Sequence, residues 1–267
     1  MELFTIPFIR NVFIAAALVA VGLAPLSIYV VLRRIVFVGA AVAEVSSAGV
    51  ALAVLFNVEP FPVAMVLTVA TFLVLARAAE SERLPVEALI GILYAGGSAA
   101  AVLLIVKAPR GEAGILNVLF GNILTVPEPL LIALAAVAAG VLALLYFAHK
   151  EFLFSAYDPD TARAVGIRVT FWNTLFYVTA GVAVAVAIRA VGALVTFALL
   201  VAPGAAALSI ARSLKGAFAF ATVLGVTSSI AGVACSYWFD TPTGPTIVAL
   251  LAVAFSLSYL CAAATRR

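Results

Sequence analysis

One acidic side chain stands where acids are scarce. Glu44 lies inside the apolar run 35–58 and is the single charge in it, with Ser46, Ser47 and Gly49 following closely. By helical rise it falls about 14 Å from the start of that run. An acid at membrane depth costs at least ~2.5 kcal/mol on insertion scales, so it normally faces a cavity, a pair or a pathway. Two readings stand. In the first, Glu44 lines a transport route, with Ala40 and Ser47 beside it. In the second, it is a protonated acid hydrogen-bonded to a neighbouring helix.

A second constellation is Asp158-Pro159-Asp160-Thr161-Ala162-Arg163, closed by Gly166. Asp158 suits an N-cap, Pro159 the first helical position, and Asp160 the positive end of the helix dipole. Gly166 supplies a left-handed stop. The pattern predicts a helix of about two turns lying at the membrane surface, either a structured connector or a docking knob for a cytoplasmic partner.

The remaining polar residues have simpler readings. His149 beside Lys150 is expected to be interfacial rather than a ligand. Cys235 and Cys261 lie in apolar runs, where thiols behave as small hydrophobes, and they form no metal clip. Arg189 is expected to snorkel from a span end, and Asp240–Pro245 reads as a turn. Glu59, Glu112 and Glu128 are expected on the outer side, either facing a delivering partner or, the favoured reading, as solvated loop charges. No GxxxxGK[ST], HExxH or GxSxG motif occurs, so the chain is expected neither to hydrolyse nucleotide nor to act as an enzyme, and no cofactor is expected on it.

The elements that must position these residues follow from composition. Of 267 residues, 66% are hydrophobic and 10% charged; soluble domains carry about 45–50% and about 25%. That excludes a soluble enzyme, a nucleic-acid binder and a disordered regulator. The net charge of +3 is too small for a polyanion footprint. A bilayer core needs roughly 20 apolar residues per helix. Charge-poor runs predict spans near 11–32, 35–58, 60–76, 88–106, 129–148, 169–188, 190–211, 216–239 and 241–265 in one transmembrane domain. A kink at Arg189–Gly192 would reduce nine spans to eight, so the expected fold is all-α with eight to nine transmembrane helices. The first run is too long for a signal-peptide core and stays a span. The stretch 114–127 is too short to cross and reads as interfacial or re-entrant.

Direction comes from the basic residues. If Arg33 and Arg34 face the cytoplasm, 11 Lys/Arg lie inside and four (Arg10, Lys107, Arg110, Arg189) outside. The amino terminus is then outside and the carboxyl terminus, with Arg266 and Arg267, inside. Gly91, Gly96, Gly97 and Ser98, and the small pairs Gly181/Ala185 and Gly225/Ser229, offer surfaces for close helix approach. Pro25 and Pro203 interrupt otherwise continuous spans.

Several short pieces, in order, resemble the ABC-3 family, the permease subunits of ABC importers for zinc, manganese and iron. They are Val31–Arg34 with Phe37–Gly39, Ala88–Leu93, Leu119–Leu124, Asp158–Asp160 with Gly166, Val191–Val195 through Leu200–Pro203, and Asp240–Pro245. The resemblance spans nearly the full chain and implies a type II ABC importer-like permease in the cell membrane. It implies a homodimer docked on a separate cytoplasmic ATPase through Asp158–Gly166, and fed by an extracytoplasmic metal-binding protein. The chain departs from the family in its second span, where members carry an Asp and a His proposed to meet the metal. Here those positions are Ala40 and Glu44, and other family aspartates match Glu87 and Asn122. A carboxylate pair from two Glu44 side chains suits manganese or iron better than zinc, which favours Cys and His. A metal chelate or other small nutrient as cargo, and a proton-coupled secondary transporter using Glu44, are the alternatives.

Overall fold

The computed structural model describes residues 7–80, 85–107 and 126–265. Among them the order is α1 (Pro7–Leu32), α2 (Val38–Leu55), α3 (Pro60–Ala78), α4 (Val86–Lys107), α5 (Glu128–Phe147), α6 (His149–Tyr157), α7 (Pro159–Ala164), α8 (Val169–Val191), α9 (Ala193–Ile210), α10 (Leu214–Phe239) and α11 (Thr243–Thr265). Nine of these helices are long and apolar enough to cross a membrane, so the nine-span alternative holds.

Local chemistry sets the boundaries. Proline opens α3, α5 and α7, where its missing N–H costs nothing. Ser213 caps α10, accepting from the Gly216 amide at 3.2 Å. The junction near Arg189 is a true break. Gly192 sits at φ 84° and ψ 166° between α8 and α9, backbone essentially reserved for glycine. Pro25 and Pro203, by contrast, lie inside continuous helices. The turn after α10 begins with Asp240 in the left-handed region, and Ser236 Oγ donates to the Thr241 carbonyl at 2.6 Å across it.

The most enclosed spans are α1, α2 and α8, with α9 next. Helix α1 packs on α9, α10 and α5; α2 packs on α4, α3 and α9; α8 packs on α3. An aromatic cluster fills the end of the bundle where α1 finishes. Tyr29 meets Phe152, Phe176 and Phe218 at centroid distances of 5.4–6.0 Å. Arg33 closes this end, with its guanidinium 4.5 Å above the Phe176 ring and Nη1 donating to Asn173 Oδ1 at 2.6 Å.

Three expectations shift. The residues after 148 form an additional helix, α6, rather than a loop. Arg189 does not simply snorkel: its guanidinium stacks 4.0 Å over the Phe61 ring of α3. Of the α4 glycines, only Gly97 supports a close helix approach, because a Cβ on Gly91 or Gly96 would meet nothing within 4 Å. The re-entrant reading of 114–127 falls almost wholly outside the described residues, as do Arg83, Arg110, Glu112, Asn122, Arg266 and Arg267.

Candidate translocation stripe and docking helix

Helix α2 begins at Val38, so Glu44 lies six residues in, about 9 Å along the axis. That is shallower than the longer expected run implied. Phe37, just before α2, is exposed, and within the helix Ala40, Glu44, Val45, Leu52, Val54 and Leu55 are half-open; of these Phe37, Ala40, Glu44, Leu52 and Leu55 share one face at helical spacing, with buried Ala48 between Glu44 and Leu52. The rest of the helix is covered. Gly97 brings α4 against the α2 backbone at Glu44–Val45, Gly49 brings in Ala64 of α3, and Gly39 abuts Phe197 of α9.

Glu44 is half-buried, and no hydrogen bond or ion pair to it occurs among the described residues. The packing alternative asked for a hydrogen-bonding neighbour on another helix, and this chain supplies none there. Ala40 shares the open stripe one turn away. Ser47 does not. It is 2% exposed and its hydroxyl donates to the Ala43 carbonyl at 2.9 Å, so it presents no open donor beside Glu44.

The stripe continues sideways. On α9, exposed Leu194 and half-open Phe197, Ala198, Val201, Ala205 and Leu208 form a second line, with half-open Ala202 and Ser209 beside it, and Phe37 and Phe197 pack at 6.4 Å between ring centroids. Helices α4, α2, α9 and α11 therefore make a layer, each packed on the next. Its two outer members, α4 and α11, are the least enclosed spans of the molecule. At the end of α2 near Arg34, a cleft of about 340 Å³ lies between Phe37, Glu87, Gly91 and Tyr94. No cluster of three or more His, Cys, Asp or Glu residues that could hold a metal occurs among the described residues.

The second constellation folds as the residue types predict, though shorter. Helix α7 has six residues. Asp158 Oδ1 accepts from the Thr161 amide at 3.0 Å, Arg163 pairs with Asp160 at 2.9 Å, and Gly166 sits at φ 86°. Hydrogen bonding from Thr161, side chain first and amide second, holds the Asp158 carboxyl below the usual carboxylate range. Ala162 is fully buried and pins the helix, whereas Thr161, Arg163, Ala164 and Val165 are exposed. Beside α7 an apolar cleft of about 440 Å³ opens between Leu32, Leu153, Phe154, Tyr157 and Leu214. The sequence reading missed α6 and with it this cleft; the unbroken run His149–Tyr157, free of Gly and Pro, was the available signal.

Residues 5–262 match the ABC 3 transport family. The chain belongs to that family. It is 26% identical to the manganese transport system membrane protein MntC of Halalkalibacterium halodurans, over 97% of this chain and 88% of that one. It is 28% identical to the Haemophilus influenzae protein named "Probable iron transport system membrane protein", over 94% of this chain and 92% of that one. Among solved structures, it superposes on PsaBC from Streptococcus pneumoniae in complex with Fab with a TM-score of 0.80 and 27% identity, covering 94% of this chain and 91% of that one. Among the described residues the architecture is all-α with nine candidate spans, and it is that of an ABC permease.

Proposed function

We propose that the chain is the permease subunit of an ATP-driven importer for a divalent metal ion of the manganese, iron or zinc class, with Glu44 on the translocation route. The observation that carries this is the placement of Glu44. It is an acid without a partner among the described residues, on the open stripe of α2, in a layer whose flanking helices lack cover. An acid in that position is stabilised by water, by a passing cation or by a second copy rather than by hydrocarbon. Family membership favours coupling to a separate ATPase over coupling to protons.

Two copies related by a two-fold axis would place the α4–α2–α9–α11 layers face to face and bring two Glu44 carboxylates to one seam. Carboxylate oxygens suit manganese or ferrous iron, and Ala40 adds no ligand. Helix α7 and the adjoining apolar cleft form the seat for the ATPase. The ends bearing Arg33, Arg34, Arg77, Lys150, Arg163 and Lys215 are cytoplasmic, which places the amino terminus outside. An extracytoplasmic metal-binding protein delivers the ion to the opposite face.

The test is uptake of radioactive manganese, iron and zinc into proteoliposomes containing the permease and its ATPase. Glu44→Ala is expected to lower uptake at least tenfold at unchanged assembly, with Glu44→Asp retaining part of it. Full uptake by Glu44→Ala removes this residue from the route. Disulfide trapping of a Leu52→Cys variant between copies is expected if the layers face each other; a strictly monomeric product overturns the seam.

A further inference from the structure

A groove of about 800 Å³ runs between α1, α5 and α10, far from the Glu44 stripe. Its walls are Leu142, Leu145, Phe218 and Val223, and Pro25 of α1 forms part of the floor. The groove extends about 12 Å along α10, from Lys215 to Val223. Within a bilayer an apolar trough left open by its own chain is filled by lipid hydrocarbon or by an apolar helix of another chain, either of which occupies it without exposing unpaired polar groups. Thr222, on the wall, adds no polarity, since its hydroxyl donates to the Phe218 carbonyl at 2.8 Å.

The mouth is chemically different. His149 and Lys215 stand at the end where α5 finishes and α10 begins, and Lys150 follows His149 in the chain. No carboxylate pairs with either lysine among the described residues. Glu151, two residues after His149, points about 200° around α6 from it. The His149 ring is held in place. It meets Phe218 edge-on at 5.5 Å, and its Nδ1 lies 3.3 Å from the Tyr29 hydroxyl. Tyr29 is fully buried, and no other hydrogen bond to its hydroxyl occurs among the described residues. Either group can donate across that contact; with the phenol as donor, Nε2 carries the ring proton and is a donor for an acidic headgroup.

We infer that this groove holds one anionic phospholipid of the leaflet on the basic side, its acyl chain against Leu142, Leu145, Phe218 and Val223 and its phosphate at Lys215 and His149. The choice of an anionic over a zwitterionic lipid follows from the unpaired cations at the mouth, since juxtamembrane lysines are drawn to anionic headgroups. The inference needs only the membrane-spanning fold, so it stands or falls independently of the cargo.

The experiment is native mass spectrometry of the full chain in detergent, titrated with dioleoyl phosphatidylglycerol or dioleoyl phosphatidylcholine. Phosphatidylglycerol is expected to remain as one adduct per chain, held at least fivefold more tightly than phosphatidylcholine. Lys215→Ala should remove about that fivefold preference, which is the worth of one basic side chain at an anionic surface. Thr222→Trp fills the groove and should abolish the adduct; Leu142→Trp, at a more exposed wall position, does the same should the first variant not fold. Arg77→Ala, at the same end but outside the groove, should leave the preference intact. Equal retention of the two lipids, an unchanged preference in Lys215→Ala, or a persisting adduct in a folded tryptophan variant would each overturn the inference.

Discussion

Gly97 is the most direct handle on the packing that aims Glu44. A Cβ added there lies 2.9 Å from the Val45 nitrogen and 3.1 Å from the Glu44 carbonyl carbon. Ordinary contact begins near 3.4 Å, so α4 must retreat from α2 by about half an ångström or more. Both obstacles are backbone, and no rotamer change relieves them. Overpacking of this kind costs about 1–3 kcal/mol. Replacing a mid-helix glycine by alanine returns about 0.5–1 kcal/mol. Gly96→Ala and Gly91→Ala supply the matched controls, because their Cβ atoms meet nothing within 4 Å of this chain. The helix gain is common to all three and cancels, leaving a gap of about 1–3 kcal/mol between Gly97→Ala and either control. That gap is roughly five- to 150-fold in the folding equilibrium. Unfolding in mixed micelles with rising dodecyl sulfate, followed by circular dichroism, measures it. If Gly97→Ala proves as stable as Gly96→Ala, the close approach of α4 to the Glu44 turn is wrong, and the support proposed for that side chain goes with it.

Three further outcomes follow from other parts of the molecule. Gly192→Ala forces a Cβ into φ 84°, ψ 166° and is expected to destabilise the chain by about 1–3 kcal/mol in the same unfolding assay. Asn173→Ala leaves the Arg33 guanidinium without its 2.6 Å acceptor, with an expected loss of about 1.5–3 kcal/mol; wild-type stability would show that the Phe176 face suffices alone. Asp158 is held below its ordinary value of 3.8. Its contribution to α7 is therefore complete above that value and is lost as pH falls through it toward the depressed folded value. Protection of the Thr161 amide against hydrogen exchange, taken relative to the intrinsic rate at each pH, should fall on acidification in the wild type and should be low at all pH values in Asp158→Ala. A protected amide in Asp158→Ala would rule out the cap.

Much of this architecture was legible because bilayer physics leaves few options. A run of about 20 apolar residues admits little but a spanning helix, and the Asp158-Pro159…Gly166 pattern specifies a capped helix through local bonds alone. What escaped depends on tertiary contact. Gly91, Gly96 and Gly97 are indistinguishable as letters, and only the position of α2 makes Gly97 different. Ser47 looked like a lining residue by proximity to Glu44, yet its angular position and its bond to Ala43 remove it. Arg189 gave no sign of Phe61, which lies far away in sequence and packs against it only in the folded bundle. Helix α6 was hidden because its mixed composition, HKEFLFSAY, matches neither a span nor a turn.

The two candidate constellations are joined by packed structure rather than by open chain. Helix α7 is pinned by buried Ala162, and α6, immediately before it, inserts the fully buried Phe152 between Tyr29 and Phe176 at 6.0 and 6.1 Å. Arg33 lies over that same Phe176 ring. From Arg33 the chain reaches the first residue of α2 in five positions, through Arg34 in the left-handed region and Ile35, which is buried in the core. A displacement of α7 thus meets aromatic rings and a stacked guanidinium before it meets any flexible linker. Dense interiors pass such displacements on rather than absorbing them. The element carrying Glu44 is the next one along, so on the function proposed above a packed route runs from α7 toward the acid.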